Sequence, residues 1–139
     1  MLLAFLAALA VAIVVLTFVQ TLSAYPTLPD RVPTGFYWDG TARGYGPRPF
    51  IWFVVAVQVF AGCIMAFADY AVATDAPGTH GSLLGSLIAS VCVLAILWRA
   101  QMLMISCAKS GASRVPMNGF WTFLVVGMSI VLIDVFAIR

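Results

Sequence analysis

The sequence predicts an all-α integral membrane protein with four transmembrane helices and a Pro/Gly-rich loop between helices 1 and 2. The first observation is composition: 63% of the 139 residues are hydrophobic and 9% are charged, whereas soluble domains contain about 45–50% apolar and about 25% charged residues. The second is that the apolar residues form four runs long enough to cross a hydrocarbon layer roughly 30 Å thick. The third is that most charges fall between these runs.

The first predicted span covers residues 1–24 and contains no charged residue. A secretory signal peptide is the alternative interpretation of an apolar N-terminal segment. Such a peptide begins with basic residues and has a shorter apolar region, so we favour a membrane helix. Ala4, Ala8 and Ala12 lie on one helical ridge, which allows a neighbouring helix to approach closely.

The polar stretch Tyr25 to Phe50, YPTLPDRVPTGFYWDGTARGYGPRPF, holds five of the seven prolines and five of the twelve charged residues. Proline fixes φ and lacks an N–H group, so this stretch cannot continue the first helix. We expect a structured loop. Asp39-Gly40 and the segment Gly44-Tyr45-Gly46-Pro47 are predicted to form its turns, because glycine tolerates positive φ and aspartate bonds to nearby backbone.

Three further spans complete the predicted membrane domain, which we expect to be a single domain of residues 1–139 with spans at 50–72, 82–108 and 119–138. Aromatic residues open the second and fourth spans, as is typical of the headgroup level of a membrane. The third span carries two ridges of small residues, Gly81/Gly85/Ala89 and Ser82/Ser86/Ser90. Because small residues let helix backbones meet, we predict that Gly81, Gly85 and Ala89 form a helix-docking surface.

The distribution of basic residues predicts the orientation. With four spans, the first and third connections lie on one side of the membrane. Together with the end of the third span, where Arg99 marks the exit from the hydrocarbon, they hold six of the seven basic residues: Arg31, Arg43, Arg48, Arg99, Lys109 and Arg114. The positive-inside rule therefore places these connections in the cytoplasm and both termini outside.

The candidate chemical groups are few. His80 is the only histidine, so one chain cannot build a multi-histidine metal or haem site; it could serve as a single ligand or a pH-sensing contact. Met102, Met104, Cys107 and Met117 could suit Cu(I), although such residues also fill apolar interiors. Asp134 could carry a proton or ion, or simply face the headgroups. We predict no catalytic residues, no metal site, no cofactor and no nucleic-acid partner.

The loop resembles a known family. A first membrane helix followed by YPTLPDRVPTGFYWDG is similar to the small domain of unknown function at the start of SdpI-type bacterial membrane proteins. The resemblance covers roughly Leu16 to Gln58. It is carried by six residues, our candidate loop motif: Leu28, Pro29, Val32, Pro33, Phe36 and Gly40. Relatives usually have a histidine where Gly35 stands, and often an acidic residue where Arg43 stands, so the resemblance implies the fold more firmly than an activity.

The resemblance implies a non-enzymatic, multi-pass protein of the bacterial inner membrane that acts through binding in toxin immunity, signalling or envelope homeostasis. The alternative is an accessory subunit that packs against a larger energy-converting or transport complex, which the small extramembrane mass and the small-residue ridges favour. Membrane lipids and either other membrane subunits or a second copy of the chain are the expected partners. Transport is the weakest hypothesis, because no charged residue lies near the middle of a span.

Overall fold

The computed structural model describes residues 1–74 and 80–137 and confirms the all-α membrane fold. Four helices are present: α1 (Leu2–Ala24), α2 (Ile51–Thr74), α3 (His80–Ser110) and α4 (Asn118–Ala137). Three segments are long and apolar enough to cross a membrane, namely Leu2–Thr27, Arg48–Ala71 and Leu83–Ser110. Within α4, the shorter apolar stretch Gly119–Ser129 is described, so its crossing stays a prediction, as does the single-domain organisation.

The longest helix, α3, lies at the centre of the bundle. It packs against α1, α2 and α4 along its length and against the loop between α1 and α2 near its C-terminal end. Its 31 residues extend about 46 Å at 1.5 Å per residue, which exceeds the roughly 30 Å of a hydrocarbon core. The C-terminal end of α3 is therefore long enough to reach beyond the hydrocarbon and support the loop.

The loop between α1 and α2 contains an antiparallel hairpin of two strands, β1 (Arg31–Phe36) and β2 (Ala42–Pro47). Short 3₁₀ turns, Tyr25–Thr27 and Arg48–Phe50, join it to the helices. Pairing runs from Arg31 opposite Pro47 to Phe36 opposite Ala42, with a shift of register around Gly35. We call residues 25–50 the cap. The structured loop is the one that the sequence predicts, whereas its two strands are not predicted.

One predicted turn is wrong. The segment Gly44-Tyr45-Gly46-Pro47 is not a turn, because it lies within β2. Gly46 serves another purpose: a Cβ atom there would lie 2.7 Å from Cγ2 of Thr34. The glycine therefore leaves room for a side chain of the paired strand. The other predicted turn, at Asp39-Gly40, is present between the strands, with Gly40 at φ 85°.

The first and third connections lie at the same end of the bundle, because the cap bonds directly to residues 111–117. The sequence also predicts a turn at Pro77-Gly78, between the second and third spans, because proline and glycine interrupt helices. This turn lies outside the described residues, as do the side chains of His80 and Asp134.

This arrangement gives a topological prediction. Single cysteines at Thr41, in the cap, and at Thr74, at the opposite end of α2, should react with a membrane-impermeant reagent from opposite sides of intact cells. Native cysteines are first replaced by alanine, and permeabilised cells serve as the control in which both positions react. Reaction of both from the same side of intact cells would contradict a membrane-spanning α2.

Candidate functional site: the cap and the polar seam beneath it

The cap is built on a compact apolar cluster. Leu28 and Val32 pack with Ala24 and Ile51, which end α1 and begin α2. The C-terminal part of α3 closes the cluster with Met104, Ile105 and Ala108. Val32 and Ile51 are fully buried, and burying an aliphatic side chain of this size stabilises a fold by about 1.5–3 kcal/mol. The cluster therefore attaches the cap to three helices at once.

The six residues of the candidate loop motif differ in how far they are buried. Leu28, Val32 and Pro33 are buried, Phe36 is half-buried against α3 and Val115, and Pro29 is exposed. Gly40 is buried at the tip of the hairpin. Five of the six therefore take part in packing, and Pro29 acts only through the backbone restriction that proline imposes.

The tip of the hairpin is fixed to the third connection by backbone hydrogen bonds. The N–H of Val115 donates to the carbonyl of Gly40 over 3.0 Å, and the N–H of Ala42 donates to the carbonyl of Ser113 over 3.1 Å. A Cβ atom on Gly40 would lie 2.1 Å from the carbonyl oxygen of Val115. Only glycine fits at this position, because positive φ and close backbone contact both exclude a side chain.

Asp39 organises the turn. Its Oδ1 accepts hydrogen bonds from the hydroxyl of Thr41 over 2.6 Å and from the N–H of Thr41 over 3.0 Å. These bonds, together with the positive charge of Arg114, hold the pKa of Asp39 below its ordinary value. Because the pKa is lowered in the folded chain, the ionised carboxylate favours the turn above the ordinary pKa. That contribution is lost as acid protonates the group.

Arg48 fastens the other end of the cap. Its N–H donates to the carbonyl of Asp30 over 2.9 Å, and its guanidinium lies 4.4 Å from the centre of the Tyr25 ring. Tyr25 in turn contacts the ring of Trp52 on α2 at 5.8 Å between centroids. A cation over an aromatic face contributes about 0.5–1 kcal/mol at an exposed site. The residues that enter and leave the cap are thus joined directly.

The outer surface of the cap is aromatic and basic. Trp38 is 80% exposed, and Tyr37 and Tyr45 are about half exposed. Arg31, Arg43 and Arg114 are also exposed around this end of the bundle. A groove of about 410 Å³ lies between Trp38 and the start of α4, where the indole N–H of Trp121 donates to the carbonyl of Trp38. This exposed surface lies on the hairpin, whose tip is hydrogen-bonded to the third connection and whose base packs in the apolar cluster under the cap.

Buried amides connect α2 and α3 beneath the cap, a feature that the sequence analysis missed. The Gln101 side-chain amide donates to the Ile51 carbonyl over 3.2 Å and to the Thr21 hydroxyl over 3.0 Å. Seven residues away on each helix, Gln58 donates to the Leu94 carbonyl over 3.2 Å. We call this line of buried polar contacts between α2 and α3 the polar seam. Isolated glutamines in apolar spans are the sequence signal that could have revealed it, because side-chain amides form hydrogen bonds between membrane helices.

The same seam ends in an acidic group. Asp69 on α2 accepts a hydrogen bond from the Ser86 hydroxyl on α3, and Ser90 Oγ lies 3.4 Å from its other oxygen. Ser90 also lies 2.9 Å from the Ser86 carbonyl oxygen. Ser90 thus bonds one turn back along α3 and Ser86 bonds across to α2, as hydroxyl side chains do in membrane helices.

The predicted docking ridge stays a prediction. Gly85 is buried and Ala89 half-buried within the chain, while the surroundings of Gly81 lie outside the described part. Gly85 and Ala89 share a helix face with Cys92 and Ile96 by their spacing, and that face meets Gly127 of α4. Packing within the chain is therefore favoured over docking for the two described positions.

The soft ligands considered for copper are dispersed among other contacts. Met104 packs in the cap cluster, and the Cys107 thiol donates to the Ala112 carbonyl over 3.0 Å. Among the described residues, no group of three or more His, Cys, Asp or Glu side chains is placed to hold a metal ion. The structure thus gives these groups packing roles and adds no support for a copper site.

Comparison with known proteins identifies one domain. A family described as a domain of unknown function (DUF1648) matches residues 12–59, which cover the second half of α1, the cap and the start of α2. No curated protein and no solved structure matches the chain. The match is consistent with the resemblance to SdpI-type proteins, and it coincides with the cap and the helix ends that the cap covers.

Proposed function

We propose that this chain is a non-enzymatic protein of the bacterial inner membrane that acts by binding, and that the outer surface of the cap is its binding surface. The role would be toxin immunity, signalling or envelope homeostasis, as the resemblance to SdpI-type proteins implies. The observation that carries the proposal is that Trp38 is exposed on a hairpin whose tip is bonded to the third connection and whose base is packed on the helices. Exposed aromatic side chains on a rigid support are favourable anchors for a partner.

The charge of the cap suggests the chemistry of that partner. Its exposed basic residues would favour an acidic protein surface, and Trp38 would insert between apolar groups of it. The same side chains also suit the headgroup layer of a membrane, where tryptophan is enriched and basic residues meet anionic lipids. We favour a protein partner because the groove beside Trp38 gives the indole a concave neighbour, which a partner side chain can fill.

The test is Trp38→Ala, with Phe67→Ala as the matched control, since Phe67 is an aromatic residue of α2 that is 74% exposed. Protein purified in mild detergent would be analysed for stoichiometric partners by mass spectrometry. Loss of an aromatic anchor at a binding hot spot costs at least about 2 kcal/mol, or roughly thirtyfold in affinity. We therefore expect Trp38→Ala to lose its partner and Phe67→Ala to retain it.

Other outcomes assign the surface differently. If neither variant changes the partners, while brominated lipids quench the part of the tryptophan fluorescence that Trp38→Ala removes, the cap is a membrane anchor and the binding proposal is wrong. If Phe67→Ala loses the partner and Trp38→Ala does not, the chain acts through its helix faces.

The second candidate, an accessory subunit of a larger membrane complex, is favoured by α1. Its exposed apolar side chains include Phe5, Val11, Val15 and Leu22, each more than half exposed. Such a helix can contact lipid or another subunit. Within a membrane, association with another subunit is driven by close packing of the helices and not by the hydrophobic effect. The same purification would then retain several subunits in both variants.

A further inference from the structure

A cavity of about 420 Å³, open to the surface of the bundle at exposed residues such as Val11 and Cys63, lies between α1, α2 and α3, at the end of the seam away from the cap. Its walls are almost entirely apolar, with Val11 and Val14 on α1, Met65 on α2 and Leu94 on α3 as examples. This volume is within the roughly 300–1,000 Å³ typical of sites for small organic molecules. Among its lining residues, Asp69 and Ser90 are the two whose side chains contain oxygen.

Asp69 gives the cavity a directed chemistry. One carboxylate oxygen accepts a hydrogen bond from the Ser86 hydroxyl. The other is 3.4 Å from Ser90 Oγ, whose single hydrogen has a shorter alternative at the Ser86 carbonyl. The described residues therefore leave acceptor capacity on the carboxylate. None of the described lining residues is basic. A negative group beside an apolar space is stabilised by a cation, because a charge in a medium of low dielectric constant is costly without a partner.

We propose that this cavity binds a lipophilic amine, with its ammonium group against Asp69 and its apolar chain between α1 and α2. Asp69 supplies the charge and the hydrogen-bond acceptor, and the aliphatic walls supply the contact with the chain. A partner helix bearing a basic residue fits less well. A helix with its side chains is about 10–12 Å wide, so this volume would hold only about one turn of it.

This inference does not depend on the proposed function of the cap, since the cavity and the cap lie in different parts of the bundle. The test measures equilibrium binding of radiolabelled decylammonium to the purified full chain in mild detergent. Decanol, which has the same chain without the charge, is the ligand control. The wild-type chain should bind decylammonium saturably, at about one molecule per chain, and should show no saturable binding of decanol.

Two variants remove the charge and the space separately. Asp69→Asn keeps the size of the side chain and should weaken binding at least tenfold. Gly62→Leu should abolish it by filling the cavity; a Cβ atom at Gly62 would lie 3.8 Å from Leu94 and Val14, an ordinary contact, so the backbone accepts a side chain. Asp30→Asn, which removes an exposed carboxylate in the cap, far from this cavity, should bind as the wild type does.

Several results would overturn the proposal. The wild type and Asp69→Asn could bind decylammonium equally, or the wild type could bind decanol as well as decylammonium. Either result would show that the Asp69 carboxylate does not recognise the ammonium group. Absence of saturable binding of decylammonium by the wild type would also overturn the proposal. A protein adduct formed in membranes by a crosslinker on Cys63, which lines the cavity, together with no decylammonium binding, would assign the space to a partner helix. Tryptophan fluorescence and a monodisperse elution profile establish that each variant is folded.

Discussion

Replacing Gly40 by alanine should detach the tip of the cap from the third connection. The left-handed conformation alone costs a residue with a side chain about 1–2 kcal/mol. The new Cβ atom would also lie 2.1 Å from the Val115 carbonyl oxygen and 2.9 Å from Cγ of Met117, so the two backbones must separate. The total loss should exceed about 2 kcal/mol. Thermal unfolding in mild detergent and limited proteolysis of residues 31–47 would measure it.

Gly35→Ala is the matched control for that experiment. A Cβ atom at Gly35 would meet nothing within 4 Å, and Gly35 does not have positive φ. The stability and the proteolysis of this variant should therefore stay close to those of the wild type. Equal effects of alanine at Gly35 and Gly40 would mean that the hairpin responds only to general loss of glycine, and that its tip is not docked.

Val32→Asp should have the largest effect among substitutions in the cap cluster. Val32 is fully buried with Leu28, Ile51 and Met104, so the new carboxyl group would have no partner. Burying a polar group without a hydrogen bond costs on the order of 2–7 kcal/mol. We expect the cap to open while the apolar helices remain inserted. Helical content from circular dichroism should be nearly unchanged, and proteolysis within residues 25–50 should become rapid.

Thr34→Asp is the control for that substitution, because Thr34 is exposed on the same strand. Exposed substitutions usually change stability by no more than about 0.5 kcal/mol. Rapid proteolysis of Thr34→Asp as well would indicate that any added negative charge disturbs the hairpin. Slow proteolysis of Val32→Asp would show that Val32 does not anchor the cap to the helices.

The helices could be predicted from the sequence because each is an apolar run of membrane-spanning length with polar residues at its ends. The hairpin could not. Pro33 and Gly35 in β1 and Gly44, Gly46 and Pro47 in β2 belong to the residue types that strands usually lack. Their pairing depends on contacts that are distant in sequence, since the tip bonds to Ser113 and Val115 and the base packs on α3. A local pattern does not contain such contacts.

The candidate site was predictable in part for a similar reason. Asp39-Gly40 carries its turn chemistry in two adjacent residues, and the sequence alone indicated it. Gln58 and Gln101 act across helices, with partners 36 and 50 residues away at Leu94 and Ile51. The ridge of serines indicated a contact with another helix, but only the fold identifies Asp69 as the acceptor of the Ser86 hydrogen bond.

The central claim is that the cap is docked on the third connection, and a disulfide tests it most directly. Thr41 and Arg114 are paired in an antiparallel bridge, where Cα atoms lie about 4.5–5.5 Å apart, within the roughly 4.4–6.8 Å that a disulfide spans. With native cysteines replaced by alanine, Thr41→Cys combined with Arg114→Cys should form an intramolecular disulfide in membranes under mild oxidation. It would be detected as a reducible change of gel mobility that neither single variant gives. Two cysteines that stay reduced and accessible to alkylation under those conditions would contradict the docked cap.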